Sequence, residues 1–156
     1  MRGHKIQIPP RTRRPSQTDL MVVARGGQGL VVFAVEGKVD EPFDEVVAKW
    51  KQHDTQGKAE RLRFLTDYLG LGCKELDGIR YQLLHRTASA LLAADTFGAS
   101  HAVMLVHSFS RQRTGFDDYS AFLRLFGVQA ADGTVQPAAI PNATQLYFSW
   151  VIGSLK

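Results

Sequence analysis

Gly29-Leu30-Val31-Val32-Phe33-Ala34-Val35-Glu36-Gly37-Lys38 is an apolar run that ends in an acid and a base two residues apart. Valine and phenylalanine dominate it, the composition of a strand. Strand side chains alternate between faces, so Leu30, Val32, Ala34, Glu36 and Lys38 project to one side. Burying a carboxylate and an ammonium there costs several kcal/mol per ion unless they are paired or bind something. The strand end is therefore expected to open into a cleft.

Upstream, Pro15-Ser16-Gln17-Thr18-Asp19-Leu20-Met21-Val22-Val23-Ala24 reads as a second strand running into Arg25-Gly26-Gly27-Gln28-Gly29. Its glycines suit a hairpin connection, which makes the strands antiparallel and brings Asp19 across from Glu36 and Lys38. Two carboxylates about 4 Å apart repel by roughly 4 kcal/mol at an effective dielectric near 20, so a shared site favours a cation. Lys38 supplies part of that charge, and a hard divalent ion on carboxylate oxygens would supply the rest.

Asp19, a turn, and Glu36-Gly37-Lys38 at the end of an apolar strand resemble the PD-(D/E)XK nuclease-like superfamily. The resemblance covers roughly residues 15 to 110. Ser16-Gln17 and Tyr81-Gln82-Leu83-Leu84-His85-Arg86 look like a bacterial branch of it. It implies a restriction-endonuclease-like mixed β-sheet flanked by helices. Asp19 and Glu36, with the Gly37 carbonyl, would hold Mg²⁺ or Mn²⁺; Lys38 would be the catalytic lysine and Gln82 the supporting glutamine. Arg14, Ser16, Gln17 and Arg86 become candidate nucleic-acid contacts, and the implied activity is hydrolysis of DNA phosphodiesters. Thr18 stands where the motif has its proline. The superfamily also has a helix before the Asp19 strand, which is expected to be missing or displaced here. A catalytically inactive domain of the same fold, binding nucleic acid or a partner protein, is the alternative. A structural Glu36–Lys38 pair beside a hairpin is a third account.

The composition bounds these readings. At 156 residues the chain is expected to form one domain over 15–156 behind a basic arm at 1–14, where Arg2, Lys5, Arg11, Arg13 and Arg14 precede the first acid. That arm is either a phosphate-contacting lead into the site or a solvated tail. A net charge of +4 is compatible with a polyanionic partner. The single cysteine, Cys73, rules out an intramolecular disulfide framework, and no apolar run approaches the roughly 20 residues of a membrane span, so a cytoplasmic location is expected. No sequence-reading module is visible, which leaves target recognition to a homodimer or a partner subunit.

Further along, Asp40-Glu41-Pro42 reads as a helix start, with Phe43, Val46, Val47 and Trp50 on its inner face and Lys49, Lys51 and His53 toward phosphate or water. Gln56-Gly57 reads as its end and Lys58 to Leu69 as a second helix, closed by Gly70. Ile79 to Ala94 is expected to be a helix with a stripe of Leu84, Ala88, Leu91 and Leu92. Its other face carries Gln82, His85, Arg86 and Ser89, bordering either the acidic site or solvent. Ser100 to Phe109 reads as a central strand covered on both faces, parallel to the Glu36 strand; His107 and Ser108 at its end lack a third triad residue. Gly115 to Phe126 is an amphipathic helix, Asp132 to Pro141 a turn-rich loop, and Gln145 to Ile152 the last strand.

Overall fold

A computed structural model of the chain describes residues 5–6, 8, 16–52 and 56–154. Two short strands, β1 (Lys5–Ile6) and β2 (Ser16–Gln17), pair with each other. The main sheet contains β3 (Leu20–Gly26), β4 (Gly29–Lys38), β5 (His101–Ser108), β6 (Val135–Ala138) and β7 (Gln145–Ile152). Its order is β3-β4-β5-β7-β6, with the β4, β5 and β7 core parallel and both outer pairs antiparallel. Helices α1 (Val47–Lys51), α2 (Gln56–Leu69) and α3 (Tyr81–Phe97) lie between β4 and β5, and α4 (Phe116–Arg124) follows β5. Among the described residues, no helix precedes β3. This is a mixed α/β domain with an open sheet.

The hairpin forms as its glycines predict: Gly26 pairs with Gly29, leaving Gly27-Gln28 as a two-residue loop, and Leu20 comes to lie opposite Val35. One step further along that register sets Asp19 beside Glu36. The helical connection after β4 returns the chain for β5 to pair in parallel, with Lys38 level with Ser108.

Register divides the sheet into two faces. Val32, Ala34, Ala102, Met104, Val106, Leu146, Phe148 and Trp150 share the front, where they join Leu84, Ala88 and Leu91 of α3 and Tyr119, Phe122 and Leu123 of α4 in one buried cluster. Phe122 meets Phe148 edge-on at 5.6 Å between ring centres. Helix α2 packs on α3, and α1 is tied to the entry of α3 by a Trp50–Tyr81 ring stack at 3.9 Å. The back face carries Leu20 and Val22 of β3, Val31, Phe33 and Val35 of β4, His101, Val103, Leu105 and His107 of β5, and Tyr147 and Val151 of β7.

Four expectations need correction. The helix expected from Asp40 starts at Val47 instead, because residues 44–47 spend their backbone groups on the start of α3. Glu45 O accepts from Tyr81 N (3.0 Å), Val47 N donates to Ile79 O (2.8 Å), and Val46 bridges Arg80. Those bonds compete with the first helical turn and win. β5 is covered by helices on the front face only. The stretch expected to be loop contains β6, which holds Pro137 because an edge strand tolerates a residue that cannot donate. Gln56-Gly57 opens α2 rather than ending a helix.

Candidate functional site

The C-terminal end of β4 carries a polar cluster on an otherwise apolar face. Glu36 and Lys38 are 3% and 5% exposed, buried where Val32 and Ala34 continue the same row. Helix α3 crosses this strand and presents Gln82 and Arg86, one turn apart, to the two charges. Arg86 Nε donates to Glu36 Oε2 at 2.6 Å, and Gln82 Nε2 donates to Glu36 Oε1 at 2.5 Å. Lys38 Nζ lies 3.4 Å from Glu36 Oε1 and donates to Gln82 Oε1 at 3.1 Å. That same Gln82 oxygen accepts from Asp44 N at 3.2 Å, so its amide is oriented by two donors on one side and a carboxylate on the other. The Lys38 ammonium also sits 5.1 Å from the Phe43 ring centre, a cation–π contact.

Asp19 completes the site from β3's side. Its Oδ2 accepts from Gly37 N at 3.0 Å, which anchors an exposed carboxylate over the buried group, while Oδ1 takes no hydrogen bond among the described residues. Burial pushes the Glu36 carboxyl above the usual carboxylate range; Arg86 and Lys38 pull it down and the Asp19 charge pushes it further up, and the upward influences prevail. Arg86 and Lys38 thus offset only part of the cost of burying Glu36.

The donors are hard oxygens of the kind a divalent ion such as Mg²⁺ takes: Asp19, Glu36 and the Gly37 carbonyl fit it in chemistry. No group of three or more His, Cys, Asp or Glu converges among the described residues, so a bound ion would complete its shell with water or substrate oxygens. Against occupancy stands the number of donors already on Glu36.

The site lies at the C-terminal ends of the parallel strands, where α/β sheets open their crevices. Two surface clefts flank it. One, of about 430 Å³, is lined by Phe43, Asp44 and Arg80 among others; the second, of about 520 Å³, by Val39, Asp40, Phe109 and Arg111 among others.

Asp19, Glu36, Gly37 and Lys38 therefore come together as the hairpin spacing implied, and Gln82 joins them as the resemblance implied. Arg86 joins them, but as the partner of Glu36, so its guanidinium does not face solvent where a nucleic acid would run. Arg14 lies outside the described residues, as do His53 and the side chains of Ser16 and Gln17. Lys49 and Lys51 pair with Glu45 and Asp77. His85 turns to the Tyr81 ring, and burial, followed by the charges of Arg86 and Arg61, pushes its pKa down to about 3. Ser108 is buried and accepts from Ser110 N. Asp44 and Phe43 are contributors that the sequence did not reveal: Phe43 was read on the inner face of a helix, whereas both act from the loop before α1.

The fold and site define a mixed α/β domain with an acid–base cluster at the end of a central strand. A family profile matches residues 3–155, and the chain belongs to that family, Domain of unknown function DUF6946. No curated protein and no solved structure matches it.

Proposed function

We propose that this protein is a restriction-endonuclease-like, metal-dependent phosphodiesterase that acts on DNA. The observation that carries this is the convergence on one strand end of Glu36, Lys38 and Gln82, within hydrogen-bonding or ion-pair reach of each other, with Asp19 held beside them on the Gly37 N–H. The order of these residues and their placement on a hairpin and a following helix accord with the PD-(D/E)XK resemblance.

Asp19, Glu36 and the Gly37 carbonyl would hold Mg²⁺ or Mn²⁺, which when bound supplies Lewis acidity toward water and the scissile phosphate. Lys38 orients the attacking water and donates to phosphate oxygens as negative charge develops. Gln82 holds Lys38 through Oε1, so the ammonium is positioned before substrate arrives. Arg86 favours the ionised form of Glu36, opposing part of the effect of burial.

The alternative, a nuclease-fold domain without catalysis, is favoured by one observation: Arg86, Gln82 and Lys38 already donate to or pair with the Glu36 carboxylate. Thermal unfolding with Mg²⁺ and Mn²⁺, wild type beside Asp19→Ala/Glu36→Ala, separates the two. Binding stabilises by about 2.7 kcal/mol at a hundredfold excess over Kd. A rise in Tm confined to wild type, with cleavage of supercoiled plasmid or single-stranded oligonucleotide that Lys38→Ala abolishes, is the expected result. No rise in either protein favours the non-catalytic domain, and cleavage retained by purified Lys38→Ala refutes the role of the lysine.

A further inference from the structure

We infer that the sheet face opposite the helices is the interface of a homodimer, two copies packing back to back about a twofold axis. The apolar residues of β4 and β5 are not confined to one face, the pattern of strands buried on both sides. Yet all four helices pack on the front or on each other. Val22 and Leu20 stand 39% and 45% exposed on the back, and Phe33, Val35 and Leu105 are half-buried there and lie outside the buried cluster beneath the helices. Val103 is buried there, between Phe33 and Tyr147, which are its cross-strand neighbours.

Area and charge both select a second copy as the occupant. Thirty-seven sheet residues (7 + 10 + 8 + 4 + 8, from β3, β4, β5, β6 and β7) rise about 3.3 Å each and lie about 4.8 Å apart between strands, a projected face of roughly 600 Å². That equals the largest apolar patches monomers expose, and two such faces reach the roughly 1,200 Å² at which stable interfaces begin. No Lys, Arg, Asp or Glu belongs to the register positions of this face. A twofold axis sets each residue against its own neighbourhood, so a charged face would meet like charge, whereas this one meets valine, leucine, phenylalanine and tyrosine with His101, His107, Gln145 and Ser149 among them. The Glu36–Lys38 cluster faces the front, away from this contact, so the dimer is independent of the activity proposed above.

Sedimentation equilibrium of the full chain at tens of micromolar tests it. The wild type is expected at twice the 17.3 kDa chain mass, and Leu105→Lys at the monomer mass with unchanged circular dichroism. If Leu105→Lys does not fold, Val22→Lys on the exposed rim of the same face carries the test, since a lysine there reaches water without rearrangement. A wild-type monomer throughout, or a dimer that persists in folded Leu105→Lys or Val22→Lys, overturns the proposal; persistence would place the contact elsewhere, such as the outer edge of β3.

Discussion

Replacing Arg86 with methionine removes the closest cation from Glu36 while keeping much of the apolar stem volume. Both side chains are nearly closed to water, 11% and 4% exposed, and their 2.6 Å contact is charge-assisted. Stranding one member of such a buried pair costs about 3–5 kcal/mol, against a total of about 5–15 kcal/mol for a typical domain. At about 2–4 °C per kcal/mol for a chain of this size, Tm falls by about 6–20 °C. The loss also depends on pH. The native Glu36 carboxyl titrates above its unfolded value of 4.5, so the native state holds the proton more tightly, and this group's contribution to stability declines as pH rises from the unfolded pKa through the native one. Without Arg86 the native pKa climbs further and the decline extends to higher pH. Urea unfolding of both proteins should therefore show a smaller gap at pH 4.5 than at pH 7.5. Glu36→Gln added to Arg86→Met removes the uncompensated charge and should recover part of the loss, a coupling a double-mutant cycle reads directly. A loss under 1 kcal/mol at pH 7.5, or a gap that widens toward low pH, would refute the electrostatic account of this pair.

Three further outcomes are expected. Gly70→Ala should cost about 1–2 kcal/mol in urea unfolding, because φ is +71° and a Cβ would come 2.6 Å from Pro141 Cδ, both penalties that glycine alone escapes. His85, with its pKa pushed down to about 3, should show no imidazole titration by NMR between pH 5 and 8; because the unfolded histidine takes its proton near pH 6.5, its contribution to stability is full above that value and is lost as pH falls toward 3. Gln82→Leu, which keeps the helix but withdraws the amide from Lys38 and Glu36, should lower any cleavage rate while leaving substrate binding nearly unchanged; equal cleavage by the variant would return Gln82 to a purely structural role.

The hairpin and the parallel β4–β5 pairing were legible because each strand is a long apolar run bounded by turn residues, and Gly26 to Gly29 dictates the register; the parallel β5–β7 pairing was not read, since nothing local names the last strand's neighbour. The cluster was legible for the same reason: once the hairpin register is set, Asp19 and Glu36 are neighbours by counting. What escaped depends on partners distant in sequence. Pro42 after two acids is a sound helix start in isolation, but only the folded chain supplies Arg80, Tyr81 and Ile79 to compete for the backbone of residues 44–47. Arg86 was read as a nucleic-acid contact and in the fold pairs with Glu36, because nothing local distinguishes a phosphate from the Glu36 carboxylate. The same helix face fits either one. β6 was hidden by Pro137, whose presence argues against a strand unless its edge position is known.

The composition of the cluster bears on function in its own right. A sheet face whose row runs Leu30, Val32, Ala34 needs no charge to continue, since well-packed apolar residues of similar volume commonly match or exceed a buried ion pair in stability. Here the row instead continues into Glu36 and Lys38, draws in Arg86 and Gln82 from the helix that should have closed it with leucine, and leaves the carboxylate still pushed toward protonation. An exposed Asp19 is then pinned beside it by the Gly37 amide, adding repulsion where a structural network would have relieved it. A purely structural pair has no use for Asp19, because removing that carboxylate would ease the burial of Glu36. Asp19 is therefore the residue that separates the two accounts: its replacement by asparagine should raise stability slightly in metal-free buffer, by lifting a like charge from Glu36, while abolishing any stabilisation by Mg²⁺. If Asp19→Asn instead destabilises the metal-free protein, the carboxylate is a structural acceptor for Gly37, and the case for a cation at this strand end fails with it.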